Sequence, residues 1–178
     1  MAGSRLEVAE VYLQPGELHL ALGPTILKTI LGSCVGVTFW SWRLEIGALC
    51  HGVLPHCPSG VVGGERYRYV DFAVHHLIRE MERCGALAHE VQVKAFGGAD
   101  VLPVHGRRPW RPTVGQQNCE SALNALREEN YPVFSSDLGG TAGRTIQFDT
   151  RSGLVLVRRL ERVDSGRVGA GAWTRVES

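Results

Sequence analysis

No charge of either sign predominates in this chain: across 178 residues, 19 lysines and arginines face 18 aspartates and glutamates. So close a balance gives no net field to draw in nucleic acid, an anionic membrane surface or a charged substrate, and partner choice rests on shape and local chemistry. Long apolar runs are missing too. None approaches the roughly 20 residues that span a bilayer, and the first fifteen residues alternate charged and apolar side chains without the pattern of a secretory signal. A cytoplasmic protein is expected. Five cysteines are present (Cys34, Cys50, Cys57, Cys84 and Cys119), but they are odd in number, widely spaced and free of any C-x-x-C pair. They read as reduced thiols rather than as a disulfide framework. No internal repeat occurs, and the Gly-Gly pairs lack the Lys-Ser/Thr that follows a phosphate-cradling loop.

What is there is apolar surface: 44% of residues are hydrophobic, enough for one domain with a sizeable core. Runs rich in β-branched and aromatic residues predict strands over Leu6–Leu13, His19–Leu22, Thr25–Leu31, Val35–Trp40 and Ile46–Leu54, punctuated by Gly23-Pro24 and Gly32-Ser33. Pro55–Gly64, with two prolines and three glycines, reads as a mobile loop. From Tyr69 the period becomes helical, with Val70, Val74, Leu77, Ile78 and Met81 on one face and Gly85 as the stop. A strand over Val91–Phe96 and a second helix carrying Ala122, Leu123 and Leu126 follow, with Asn118 as its expected cap. Val133–Ser136, Thr145–Thr150 and Leu154–Leu160 complete the strands. The expected fold is α+β, a sheet or sandwich core with about two to three helices packed outside. A single domain over residues 1–160 and a poorly ordered tail over 161–178, rich in Gly, Arg and Ser, are expected.

Cys34 stands at a Gly32-Ser33 break between two strand-like runs, and His51 lies on the next one. Ser41–Glu45 is a length suited to a hairpin turn that returns His51 towards Cys34. A free thiol near pKa 8.5 is only a few per cent ionised at neutral pH, so a nucleophilic cysteine needs help. His51 can supply it through an ion pair and then protonate a leaving group, while the small Gly32 and Ser33 let backbone amides point at a developing oxyanion. Equally, each residue alone is more often a buried structural group. A zinc site from Cys50-His51 and His56-Cys57 is disfavoured, because adjacent strand residues face opposite ways. A redox pair of Cys34 with Cys50 meets the same objection.

Several separated motifs, in order, resemble one family. These are Leu31-Gly32-Ser33-Cys34-Val35, His51 with Leu54-Pro55, and Lys94-Ala95-Phe96-Gly97-Gly98-Ala99. They continue with Gly115 and Asn118, then Asp137-Leu138-Gly139-Gly140-Thr141-Ala142-Gly143-Arg144, then Phe148-Asp149-Thr150 and Gly153. From about Gly16 to Arg158 the chain resembles the chemoreceptor glutamine deamidases of bacterial chemotaxis, the CheD family. The resemblance implies a fold like that of toxins that deamidate host GTPases, and hydrolysis of glutamine carboxamides on methyl-accepting chemoreceptors. It implies Cys34 as nucleophile, His51 as proton carrier and no metal or organic cofactor. It also brings a CheC-type phosphatase as second partner and some esterase action on receptor methyl esters. The alternative it leaves open is an adaptor without chemistry that binds such a phosphatase or a receptor.

The family's third polar residue, a threonine six positions before the cysteine, falls here on Lys28. Strand alternation sets the neighbouring Thr29 on the other face, so Thr29 takes that role only through a register shift or a bulge. Arg144 is expected to brace Asp137 or Asp149. Trp42, Tyr67 and Trp110 are candidate contacts to a receptor helix.

Overall fold

The computed structural model describes residues 8–101, 111–162 and 168–176. In chain order it contains β1 (Ala9–Tyr12), β2 (Leu18–Ala21), β3 (Thr25–Leu31), β4 (Val35–Ser41), β5 (Ile46–Gly52) and helix α1 (Val70–Arg83). Then come β6 (Val91–Gly97), helix α2 (Val114–Glu128), β7 (Val133–Leu138), β8 (Arg144–Asp149), β9 (Leu154–Arg162) and β10 (Val168–Val176). The strands form two five-stranded sheets, ordered β1-β3-β8-β9-β10 and β2-β5-β4-β6-β7. Parallel pairing of β1 with β3 and of β6 with β7 makes both sheets mixed. The expected α+β class holds.

Burial follows from the layering. β3 is covered on one face only, so Thr25, Leu27, Thr29 and Leu31 turn inward while Ile26, Lys28 and Ile30 are partly or fully exposed. β5 is buried at every position and β4 at nearly every one, because helices cover one face of their sheet and the other sheet covers the opposite face. Between the sheets pack Leu27, Leu31, Leu49, Phe96, Ile146 and Phe148. On the helix side, Val70, Ala73, Val74, Leu77, Ile78 and Met81 of α1 meet Val37, Phe39, Val93 and Ala95. Each large side chain fully buried there contributes about 1.5–3 kcal/mol.

The helix ends show which residues stop them. Gly85 (φ +87°) donates its N–H to the Glu82 carbonyl, and Ala86 donates to Met81, the paired bonds of a left-handed helix stop. α2 begins a turn before the expected cap. Thr113 Oγ1 accepts from the Gln116 N–H, and Gln116 Oε1 accepts from the Thr113 N–H, a reciprocal cap that leaves Asn118 inside the helix.

Pro55–Val62 carries no helix or extended strand before a 3₁₀ turn over Gly63–Arg68. The segment expected to be poorly ordered contains a strand. Val168–Val176 lies along β9, with Val168 opposite Arg162 and Val176 opposite Val155. Backbone pairing, together with the Arg158 guanidinium 4.7 Å over the Trp173 ring, holds a strand with too few large apolar residues to announce itself. Residues 163–167 and 177–178 lie outside the described residues, as does Trp110.

Candidate active site

The chain leaves one sheet at Leu31 and enters the other at Val35, so Gly32-Ser33-Cys34 forms a corner between the layers. Every carbonyl of that corner is held. Gly32 accepts from the Ala99 N–H at 2.8 Å, Ser33 from the Asn118 side-chain amide at 2.9 Å, and Cys34 from the Gly98 N–H at 2.8 Å. Because the peptides are trans, each held carbonyl turns the following N–H the opposite way. The amides of Ser33 and Cys34 therefore face away from these anchors. Gly97 (φ +104°) makes the approach possible, since a Cβ there would overlap the Cys34 carbonyl oxygen.

The β4–β5 hairpin has the register the sequence anticipates: Val35 pairs with Gly52 and Gly36 with His51. Cys34 thus enters β4 beside the end of β5 that carries His51. The His51 backbone is pinned by its own N–H to Glu17 O and by the Gly16 N–H to its carbonyl, both at 2.8 Å. Its ring turns into the space between the sheets, where Thr29 Oγ1 from β3 lies 2.7 Å from Nδ1. The same hydroxyl donates to the Leu13 carbonyl at 2.8 Å.

That second bond settles the proton. A threonine hydroxyl has one hydrogen, and Leu13 takes it, so Oγ1 faces His51 with a lone pair and accepts from Nδ1–H. The neutral ring is then the Nδ1–H tautomer, with its lone pair at Nε2. Nε2 is buried and meets no hydrogen-bonding partner among the described residues. Burial lowers the His51 pKa to about 4, with smaller opposing contributions from the Leu13 carbonyl and the charge of Glu17. Burial likewise pushes the half-buried Cys34 thiol up from its ordinary value, opposed in part by a backbone hydrogen bond at Cys34. At rest both groups are neutral. An acceptor nitrogen fixed by a third group, on the strand paired with the one that Cys34 enters, is an arrangement able to take a proton as the sulfur attacks.

Thr29 occupies the inward face without any register shift or bulge, which corrects the expectation drawn from alternation. The pairings of β3 with β1 and β8 run unbroken, and the odd-numbered positions face in. Lys28 faces out and pairs with Glu10 at 2.6 Å. Cys50 turns into the helix-side core, away from His51, so these two cannot share a metal. No cluster of three or more His, Cys, Asp or Glu side chains suited to a metal occurs among the described residues.

Two residues have contacts that sequence reasoning did not anticipate. Asn118, read as a cap, bridges the carbonyls of Ser33 and Val53. Arg144 pairs with Asp137 at 3.3 Å as one of its expected partners, but its guanidinium also donates to Gly97 at 2.6 Å and Gly139 at 2.8 Å. Asp149 instead pairs with Arg151. Trp42 is exposed on the β4–β5 turn, and Tyr67 makes tilted ring contacts with Phe72 and His76.

Residues 53–159 match the family model described as CheD chemotactic sensory transduction. A protein of Geobacter sulfurreducens named probable chemoreceptor glutamine deamidase CheD 2 is 38% identical, covering 93% of this chain and 99% of its own length. A probable chemoreceptor glutamine deamidase CheD of Pseudomonas savastanoi pv. phaseolicola is 41% identical over 85% of each chain. One of the same name from Maridesulfovibrio salexigens is 37% identical, covering 91% of this chain and 98% of its own length. No helix among the described residues is long and apolar enough to cross a membrane.

Proposed function

The chain belongs to the CheD family, and from that premise we propose that it is a chemoreceptor glutamine deamidase in which Cys34 is the nucleophile, His51 the proton carrier and Thr29 the residue that orients it. Its substrate is the side-chain carboxamide of glutamines on methyl-accepting receptors. The observation that carries this reading is the Leu13–Thr29–His51 chain of hydrogen bonds, which leaves Nε2 as an acceptor next to the corner that bears the thiol.

The chemistry runs in two halves. As Cys34 Sγ attacks the carboxamide carbon, its proton passes to His51 Nε2. The ring can accept it because Oγ1 of Thr29 holds the Nδ1–H and stays in place as the ring becomes cationic. The carbonyl oxygen gains the negative charge, and the Ser33 and Cys34 N–H groups, turned away from the anchored carbonyls, are the donors that meet it. His51 then returns its proton to the nitrogen, the C–N bond breaks, and ammonia leaves a thioester on Cys34. In the second half a water gives its proton to Nε2 and attacks the thioester carbon. The C–S bond breaks, the thiol recovers its proton, and glutamate is released.

Leu54 and Val114 are exposed apolar side chains on the two segments tied to this corner, suited to contact a receptor helix flanking the glutamine. Family resemblance adds a CheC-type phosphatase as a second partner and the cytoplasm as location. The reading is tested with a purified receptor cytoplasmic fragment, followed by mass spectrometry for the gain that accompanies amide-to-acid conversion. Wild-type protein should convert specific glutamines and Cys34→Ala should convert none. Equal conversion by Cys34→Ala would remove the thiol from the mechanism.

A further inference from the structure

Where β4 and β5 part, beyond the Val35–Gly52 pair, the ladder has no further rung: the carbonyls of Ser33 and Val53 are both acceptors and cannot bond each other. Asn118 closes this gap. Its side-chain nitrogen donates one N–H to each carbonyl, both at 2.9 Å, and the residue is 0% exposed. One acceptor lies immediately before Cys34 and the other two residues after His51. Resting on the reading of Cys34 and His51 as nucleophile and base, we propose that Asn118 is the positioning residue that fixes these two groups relative to each other and orients the Cys34 amide towards the developing oxyanion.

The side-chain chemistry is specific. Two acceptors need a group with two N–H donors, which a hydroxyl or a carboxylate does not have. Lysine or arginine could donate twice but would bring a cation into a buried place beside a thiol that the mechanism keeps neutral until attack. A short neutral primary amide satisfies both requirements. It also comes from α2, which is itself seated against the corner's other anchors: Gly115 packs on the backbone of Gly98 and Ala99, whose N–H groups hold Cys34 and Gly32. The planar, trans Ser33–Cys34 peptide then transmits the hold: with the Ser33 carbonyl fixed on Asn118, the Cys34 N–H can point only away from the helix. Asn118 touches neither substrate nor proton. It acts through the geometry of residues that do.

Kinetics on the receptor fragment separate this role from a purely structural one, with Cys34→Ala run in parallel. Asn118→Ala should fold, keep KM and lose about 10- to 100-fold in kcat, the range expected when reacting groups are held loosely. Amide hydrogen exchange at Cys34 should quicken. Should that variant not fold, Asn118→Asp keeps the shape while turning acceptors towards both carbonyls, and the same loss of kcat is expected there. A folded variant with undiminished kcat, or a loss expressed in KM alone, would overturn the proposal. If Cys34→Ala converts receptor as wild type does, the functional reading beneath the proposal fails first, and that result is distinct from unchanged kcat in the Asn118 variants.

Discussion

Thr29 and His51 meet across the space between the two sheets, with Oγ1 2.7 Å from Nδ1, while the Leu13 carbonyl takes the hydroxyl hydrogen at 2.8 Å. The consequence is a tautomer rather than a charge. Thr29→Val preserves shape but removes the hydroxyl that links Nδ1–H to the Leu13 carbonyl in a buried place, at about 1–3 kcal/mol of stability. The ring is then free to exchange tautomers and to turn, so kcat should fall about 10- to 100-fold. Thr29→Ser should restore most of it. Nitrogen NMR of the imidazole checks the cause: one tautomer in wild type, a mixture in Thr29→Val. An unaltered kcat in Thr29→Val would remove the hydroxyl from the mechanism.

The neutral resting state of Cys34 and His51 differs from the ion pair that sequence suggests, because burial disfavours both charged forms. The acid limb of kcat/KM should therefore have its midpoint near 4, the pKa of buried His51, instead of near the ordinary 6.5. Alkylation of Cys34 by iodoacetamide should be slower at neutral pH than that of a free thiol, with its rise in rate displaced to higher pH than for an ordinary cysteine. Stability follows the same groups. His51 binds its proton more readily unfolded than folded, so stability declines as pH falls from 6.5 to about 4, by an amount on the order of 3 kcal/mol, and is unaffected by this group above 6.5. Thermal melts of wild type and His51→Gln across that window check the sign. A Tm difference between the two that does not change with pH would contradict it.

Much of this site was legible because local patterns carry it. Small residues at 32–33 announce a corner, the hairpin length returns His51, and the 3.6-residue period of Val70 to Met81 marks the helix that covers its sheet. What the sequence hides is which face of β3 looks inward. Lys28 and Thr29 are neighbours of opposite fate, decided by Leu27 and Leu31 packing against the other sheet. Asn118 was hidden for a different reason: its partners are carbonyls 85 and 65 residues away, which no local pattern encodes. β10 shows the limit of composition, since its strand is held by pairing to β9 more than by apolar content.

Asp137 has two arginine partners of unequal weight, and the difference is testable. Arg159 reaches it at 2.7 Å but is 54% exposed, while Arg144, at 3.3 Å, is fully buried. Distance alone would rank Arg159 first. An exposed pair, however, is worth about 0–1 kcal/mol, because water already solvates both charges. Arg144 also donates to the carbonyls of Gly97 and Gly139, and the Gly98 N–H that follows holds the Cys34 carbonyl. Removing it takes the side-chain donor from the Gly97 carbonyl, which keeps only the Gly139 N–H, and from the half-buried Gly139 carbonyl, and loosens the turn behind the thiol. Arg144→Met should cost about 3 kcal/mol, which in a domain of this size lowers Tm by roughly 6–12 °C. It should reduce kcat as well, whereas Arg159→Met should shift Tm little and leave kcat alone. Arg144→Lys keeps the charge but not the fork, so it should recover only part of either quantity. Equal Tm losses in Arg144→Met and Arg159→Met would mean that the ion pair to Asp137, rather than the grip on the two glycine carbonyls, is what matters.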